Sequence, residues 1–422
     1  MLHSAYLPPS AEQHLREVVL LQFSLLRYAS HESTLTETGC EAFLLRRYGQ
    51  RSKEIARWLW RGSTRHAALE GFAGGTRADK LLWLRPRRRE ALQFLKTARG
   101  DVTPFDEKGA SDWQKNGAEF LRMFYIEFRR NTIPGCFFSD AKNYSSQDFL
   151  REFVATNGGP ICFVCDEGPY YTQDRNKIQT ELDHFLPESL YPQFSCHPYN
   201  LLPVCHFCNL RKLHRDPLGS TGSGRLCLTD IFLPYRTVPA LANAAFLSVG
   251  RGAGQFVVRG FEPNASPVGS GVSGFVQRSE VIERLYAVFE RWNSHHRAAE
   301  ELFRRLKKVL EQVFPKKYET EHQTPLGLLN VLDQQLSEYR REFGQQAHAV
   351  AMTWILAHLI EYELLPVVSG SQTESLFLDE LKEWFDISDR NTRAQRDGQE
   401  LREILRLRDS SDSAPASAEI KD

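Results

Sequence analysis

Two cysteine pairs, Cys162-Phe-Val-Cys165 and Cys205-His-Phe-Cys208, constrain this chain more than any other feature. Four thiolates on two tight turns, about forty residues apart, supply the tetrahedral shell that structural zinc prefers. Four buried but unrelated thiols would explain neither the two-residue spacing nor its repetition. The other four cysteines, Cys40, Cys136, Cys196 and Cys227, are scattered and read as small buried hydrophobes. Paired spacing in a reducing compartment indicates metal rather than disulfide. His206 or His214 could replace a thiolate, but four cysteines leave no vacancy to fill. A closed four-sulfur shell has no open coordination position, so this zinc is expected to hold the fold and do no chemistry.

The surrounding chain is long enough, at 422 residues, for about two to three domains with cores of their own. Its apolar and charged fractions, 41% and 25%, are those of a soluble globular protein. The N-terminus lacks the charged, apolar and small-residue segments of a secretory signal, so a cytoplasmic protein is expected. The most apolar later run, Ala349 to Val368, is interrupted by His358, Glu361 and Glu363 and reads as a buried helix, not a membrane span. Net charge is zero, but the average hides an asymmetry. Roughly fifteen Lys and Arg face about four acids between Arg46 and Arg99, and the chain beyond Val276 has an acidic excess of about six. A local basic surface binds phosphates even on a neutral protein.

The pattern along the chain predicts an α+β protein. Residues 1–155 form a helical region in which Leu15, Val18, Val19, Phe23 and Leu26, then Phe120, Met123, Phe124 and Phe128, recur at helical spacing. Gly74-Gly75 and Pro86 punctuate it, and Asn131 to Gly135 reads as a turn. Residues 156–263 form an irregular, metal-dependent module whose distal part, Phe246 to Phe261, alternates around a glycine-rich turn as a β-hairpin does. Residues 264–275 read as a Gly/Ser-rich linker, residues 276–408 as a second helical region, and residues 409–422 as a disordered tail.

Between the knuckles stand Glu181-Leu-Asp183-His184-Phe-Leu-Pro187 and Asn200-Leu-Leu-Pro203, with Asn209 directly after the last cysteine. Phosphodiester hydrolysis needs a deprotonated water in line with the leaving oxygen, and positive charge where negative charge develops. Histidine, with an unperturbed pKa nearest neutrality, is the side chain suited to take the water's proton. Asp183 points to the opposite face of an extended segment from His184, so the two serve one site only if the strand ends or twists there. Pro187 behind Phe185-Leu186 suits such an end. The plainer reading is a capping aspartate beside a structural histidine. Glu181, two residues before Asp183, lies on the same strand face and is a candidate to assist a metal.

Cys-x-x-Cys, Asp-His, Asn-Leu and Cys-x-x-Cys-Asn, in that order and followed by basic residues, resemble the HNH endonucleases of ββα-metal fold, in the subset with a four-cysteine zinc. The resemblance covers about fifty residues, Cys162 to His214. It implies His184 as general base, Asp183 as a ligand of a catalytic divalent metal, and Asn200 as the residue that ties the loop between two strands. Asn209 stands where the family often has its last histidine, giving an H-N-N variant, and its oxygen favours Mg²⁺ or Mn²⁺. Arg211 and Lys212, on a short helix, are expected to meet phosphate; the plainer alternative is that they form a solvated face with Arg215. His197, a loop histidine with no spaced partner, reads as structural.

The resemblance implies double-stranded DNA as substrate, cleaved to a 5′-phosphate and a 3′-hydroxyl, with a setting in bacterial defence or mobile elements. A homodimer and an activating ATPase or sensor are the partners such a layout suggests, and no membrane contact is expected. Arg85-Pro-Arg87-Arg88-Arg89, with Trp83, Trp58 and Trp60, is a candidate grip on a nucleic-acid backbone with aromatic stacking, or a charged helix face beside core tryptophans. The rival functional reading is a zinc-ribbon binding module without catalysis, in which the Asp183-His184 pair has no purpose.

Overall fold

The computed structural model describes residues 3, 5–96, 101–158, 161–168, 180–219, 224–236, 246–252, 255–262, 271–294, 297–313, 325–343, 346 and 348–368. The described chain is mostly helical with small two-stranded sheets, an α+β arrangement. It divides into two compact units: Met1–Ala245 with Phe261–Val288 and Gly344–Ala347, and Phe246–Gly260 with Phe289–Phe343 and His348–Asp422. No helix among the described residues is long and apolar enough to cross a membrane.

The first unit is built around α1 (Pro9–His31). Leu15, Val18, Val19, Leu21, Leu25 and Leu26 are wholly buried, each such side chain stabilising by about 1.5–3 kcal/mol. Helices α2 (Glu37–Tyr48), α3 (Arg51–Arg61), α4 (Ser63–Ala73), α5 (Arg77–Lys96) and α6 (Asp112–Arg129) follow, and α1 meets α2, α4, α5 and α6. A Ser111/Gln114 capping box starts α6. Its buried Gly117, Phe120, Leu121, Phe124, Tyr125 and Phe128 follow the three-and-four rule. At Gly117 a Cβ would come within 2.6 Å of the Phe72 ring and 3.1 Å of the Trp83 ring, so the absent side chain lets α6 approach its neighbours closely.

Two features of α5 were not evident from composition. It runs through Pro86, because the roughly 3 kcal/mol cost of a proline inside the helix is less than that of losing the burial of Trp83, Leu84, Ala91, Phe94 and Leu95. The second is buried Lys80, whose ammonium donates to the carbonyls of Ala29 at 2.7 Å, Glu32 at 3.1 Å and Ala73 at 2.8 Å. It thereby satisfies orphan acceptors at the ends of α1 and α4.

After α7 (Ser146–Asn157) the described chain reaches a two-stranded antiparallel sheet, β1 (Thr180–His184) and β2 (Leu201–Cys205), with helix α8 (His206–Lys212) directly behind it. The register sets Glu181 opposite Val204, Asp183 opposite Leu202 and His184 opposite Leu201. Pro203 sits opposite Leu182, tolerated because each strand of a two-stranded sheet is an edge. Helix α9 (Gly271–Tyr286) begins within the stretch read as a linker. Small and polar residues are acceptable in a first turn, and the apolar positions from Val281 onward anchor the rest. Residues 263–270 and the expected tail lie outside the described residues.

The second unit holds the paired strands β3 (Phe246–Gly252) and β4 (Gln255–Glu262) up to Gly260, with helices α10 (Val288–Asn293) from Phe289, α11 (Arg297–Val313), α12 (Pro325–Arg341) and α13 (Ala349–His358). The hairpin thus groups with the second helical region. Asn293 joins the two by accepting from Val258 N and donating to Val258 O, both at 2.8 Å. The run from Ala349 is helical to Val368 with a π turn at Leu359–Leu364; Val350, Met352, Ile355, Leu356, Leu359, Ile360 and Leu364 are buried, while Tyr362 is exposed.

Candidate functional site

The four knuckle cysteines come together. Their sulfurs lie within 4.8 Å of one another, and all four residues are buried. Cys162 and Cys208 are 4.0 Å apart and Cys165 and Cys205 3.7 Å. Sulfurs about 2.3 Å from a central zinc would be about 3.8 Å apart at the corners of a tetrahedron, whereas a disulfide needs about 2.05 Å. The donor set therefore fits a metal ion such as zinc. Cys205 N points at Cys162 Sγ at 3.5 Å. The first knuckle closes through Asp166 N to Cys162 O and Cys162 N to Gly168 O. Gly168 is needed because a Cβ there would stand 2.5 Å from Cys205 Sγ. Asp166, at φ 56°, is held by His3 at 2.7 Å. His206 is engaged by Glu181 at 2.7 Å, and among the described residues the sulfur cluster comprises the four cysteines.

Thr180, at the start of β1, pairs with Cys205, and α8, which carries Cys208, packs against both strands. Strand alternation puts Glu181 and Asp183 on the helix side, and Asn209 and Lys212, three apart, share the facing surface of α8. Asn209 donates a short hydrogen bond to Glu181, while Lys212 pairs with Asp183 at 3.0 Å and donates to the His184 carbonyl at 2.5 Å. Tyr286 of α9 lies 3.5 Å from the other Asp183 oxygen. Burial pushes the Asp183 carboxyl above the usual carboxylate range, and the Lys212 ammonium pulls it back.

This geometry differs from the sequence expectation in two respects. Asn209 meets Glu181, while Asp183, its expected co-ligand, is matched by Lys212. Lys212, expected to face phosphate, is wholly buried; it compensates a carboxylate that would otherwise be buried alone. Arg211 is half-buried on α8.

His184 points to the other side of β1, into the loop of residues 185–200. Its Nε2 faces the Ser195 carbonyl at 2.8 Å and Glu188 Oε2 at 3.6 Å, and the Tyr125 ring packs edge-on at 4.0 Å. Only 9% of the residue is exposed, and burial lowers its pKa to about 3. The imidazole is therefore neutral at cellular pH. Since both groups near Nε2 are acceptors, the proton sits there and Nδ1 carries the lone pair.

Asn200, fully buried, stitches that loop: Oδ1 accepts from Leu186 N at 2.7 Å, and Nδ2 donates to Leu186 O at 3.0 Å and Phe194 O at 3.1 Å. The helical region grips the same loop. Ser195 Oγ donates to Leu121 O of α6 at 2.7 Å, and Gln193 reaches Glu90 at 2.9 Å. His197 bonds Ala91 O at 3.2 Å and stacks on Phe94 at 4.6 Å, in line with a structural role.

Residue patterning did not reveal Tyr125, Glu188, Ser195 or Tyr286. Tyr125 and Tyr286 reach the site from distant helices and carry no local spacing signal. Glu188, four residues after His184 and pushed up by burial, had a weak one.

Among known proteins, the chain is similar to Protein ea31 of Escherichia phage lambda, at 35% identity over 69 residues, which are 16% of this chain and 20% of that protein. The match thus spans about a fifth of the relative's length. No family model and no solved structure matches the chain.

Proposed function

We propose that this protein is a metal-dependent endonuclease of HNH type that hydrolyses phosphodiester bonds of double-stranded DNA. The observation that carries the reading is the cysteine-clamped β1–loop–β2–α8 unit, with Asn200 stitching the loop and a neutral histidine at the strand end. Zinc in the four-cysteine cluster is structural, since the shell is full. The oxygens of Glu181 and Asn209 are the better fit to a catalytic Mg²⁺ or Mn²⁺. Rotating the Asn209 amide by half a turn presents Oδ1 beside the carboxylate. Such a cation supplies positive charge to a phosphoryl oxygen and the departing alkoxide.

The chain's own groups then have definite tasks. His184, the last residue of β1, faces away from Glu181 and Asn209, so catalysis requires the strand end to twist until Nδ1 meets the water at the cation and accepts its proton, while Nε2–H stays on Ser195 O. Glu188, beside that nitrogen, stabilises the imidazolium that forms. A phosphodiester alongside raises the basicity of His184, because an anion favours the charged ring. Asp183 and Lys212 hold the end of β1 through the His184 carbonyl. Incubating zinc-loaded protein with supercoiled plasmid, with and without Mg²⁺ or Mn²⁺, tests the reading. Metal-dependent nicking is expected.

One observation favours a second reading, a binding module without catalysis: the Tyr125 ring covers the base. DNA binding that persists without divalent metal, with no cleavage of DNA or RNA under any condition, would favour it.

A further inference from the structure

The arginine-rich run on α5 is divided by the fold. Arg87 turns inward, its guanidinium 4.3 Å over the Trp83 ring and donating to Trp83 O at 2.9 Å. Trp83 itself is buried against Phe72 and Trp113, so neither residue is offered to a ligand. Arg85, Arg88 and Arg89 instead line a groove of about 750 Å³ between α1 and α5.

One wall of the groove is a single stripe of α5. Arg77, Leu81, Arg85, Arg88, Leu92 and Lys96 recur at intervals of four, four, three, four and four, which keeps them on one helix face. Arg27 and His31, one turn apart, line it from α1. No acidic side chain is among the lining residues described. The charges act on one another: burial together with Arg77 and Arg27 lowers the pKa of His31. So many cations around one concavity repel, and a bound polyanion relieves that repulsion.

Length and lining decide the ligand class. From Arg77 to Lys96 the stripe extends about 28 Å at 1.5 Å per residue. That is too long for one phosphate or a compact polyphosphate, and it spans about eight base steps of a duplex. No Phe, Tyr or Trp is among the described residues that line the groove, so these offer no platform for stacking bases. We propose that this groove binds the sugar-phosphate backbone of double-stranded DNA, with Arg27, Arg77, Arg85, Arg88, Arg89 and Lys96 neutralising phosphates without reading sequence. The inference rests on the nuclease reading only in naming DNA as the polyanion.

The test is fluorescence anisotropy of a labelled 30-base-pair duplex with zinc-loaded, full-length protein in Mg²⁺-free buffer over a range of salt. Arg85→Ala/Arg88→Ala/Arg89→Ala is expected to weaken binding at least tenfold and to lower the salt slope by about 2 to 3, at about 0.9 for each phosphate no longer neutralised. Arg46→Ala/Arg47→Ala/Arg57→Ala, which removes the same charge from exposed positions on α2 and α3, is expected to leave both near wild type. Wild-type affinity and slope in the groove variant, equal losses in the control, or displacement of the duplex by equimolar tripolyphosphate would each overturn the proposal. Because nothing in the assay depends on cleavage, groove-dependent binding by a protein that never cuts DNA would sink the nuclease reading and leave this one standing.

Discussion

His184 donates from Nε2 to the carbonyl oxygen of Ser195 at 2.8 Å, so the loop that carries Ser195 decides which ring nitrogen is basic. Ser195 is fixed in turn by its hydroxyl on Leu121 O. The protonation chemistry of the candidate base is therefore set by α6, a helix some sixty residues upstream in the sequence.

The Tyr125 ring packs edge-on against His184, whose pKa burial lowers to about 3. Replacing Tyr125 with alanine admits water to the ring, and the His184 pKa should move up towards its unperturbed value of about 6.5. An NMR titration of the imidazole signals reads this directly. An unchanged value would mean that Tyr125 is not what desolvates the ring.

The Asp183–Lys212 pair is buried on both sides. Asp183→Asn or Lys212→Met alone should each cost about 3–5 kcal/mol, because each leaves an uncompensated group in the interior. The double variant should cost well under the sum. Urea unfolding of the four proteins gives the coupling, and purely additive losses would contradict the pairing.

The fold should also be acid-sensitive at a defined site. His197 is buried with its pKa lowered to about 3, below the unfolded value of about 6.5. Between those limits the unfolded chain binds the extra proton, so stability falls as pH drops through this window. The slope is about 1.4 kcal/mol per pH unit from this residue, and the contribution is fully present only above pH 6.5. His197→Phe, which keeps the ring stack on Phe94, should flatten stability against pH over that range, as read by denaturant midpoints.

The proposed cation site distinguishes Glu181 from Asp183. If the nuclease reading holds, Glu181→Gln should raise the Mg²⁺ needed for half-maximal cleavage by at least the roughly tenfold that follows loss of an outer-shell partner. Asp183→Asn should act mainly through stability. A larger Mg²⁺ shift in Asp183→Asn would return the metal to Asp183.

The sequence made local features legible and left the long-range ones hidden. Cys162, Cys165, Cys205 and Cys208 announced their cluster because zinc-site geometry is written in short spacings. The loop-tying role of Asn200 followed from the resemblance in motif order, and the α8 face shared by Asn209 and Lys212 from helix periodicity. The partners did not. That Lys212 turns to Asp183, or that Tyr125 closes over His184, depends on how α8 and α6 dock, and docking leaves no local period. Start and stop signals also misled where burial outweighed them, at Pro86 within α5 and at the small residues that open α9.

The most direct test of the account is plasmid cleavage by zinc-loaded wild type and by His184→Ala, each with Mg²⁺, with Mn²⁺ and with no divalent ion added. The account predicts metal-dependent nicking or linearisation by the wild type, and a loss of about 10²–10⁴-fold in a variant that stays folded and keeps its zinc. Equal cleavage by the two proteins would contradict the assignment of His184 as the base.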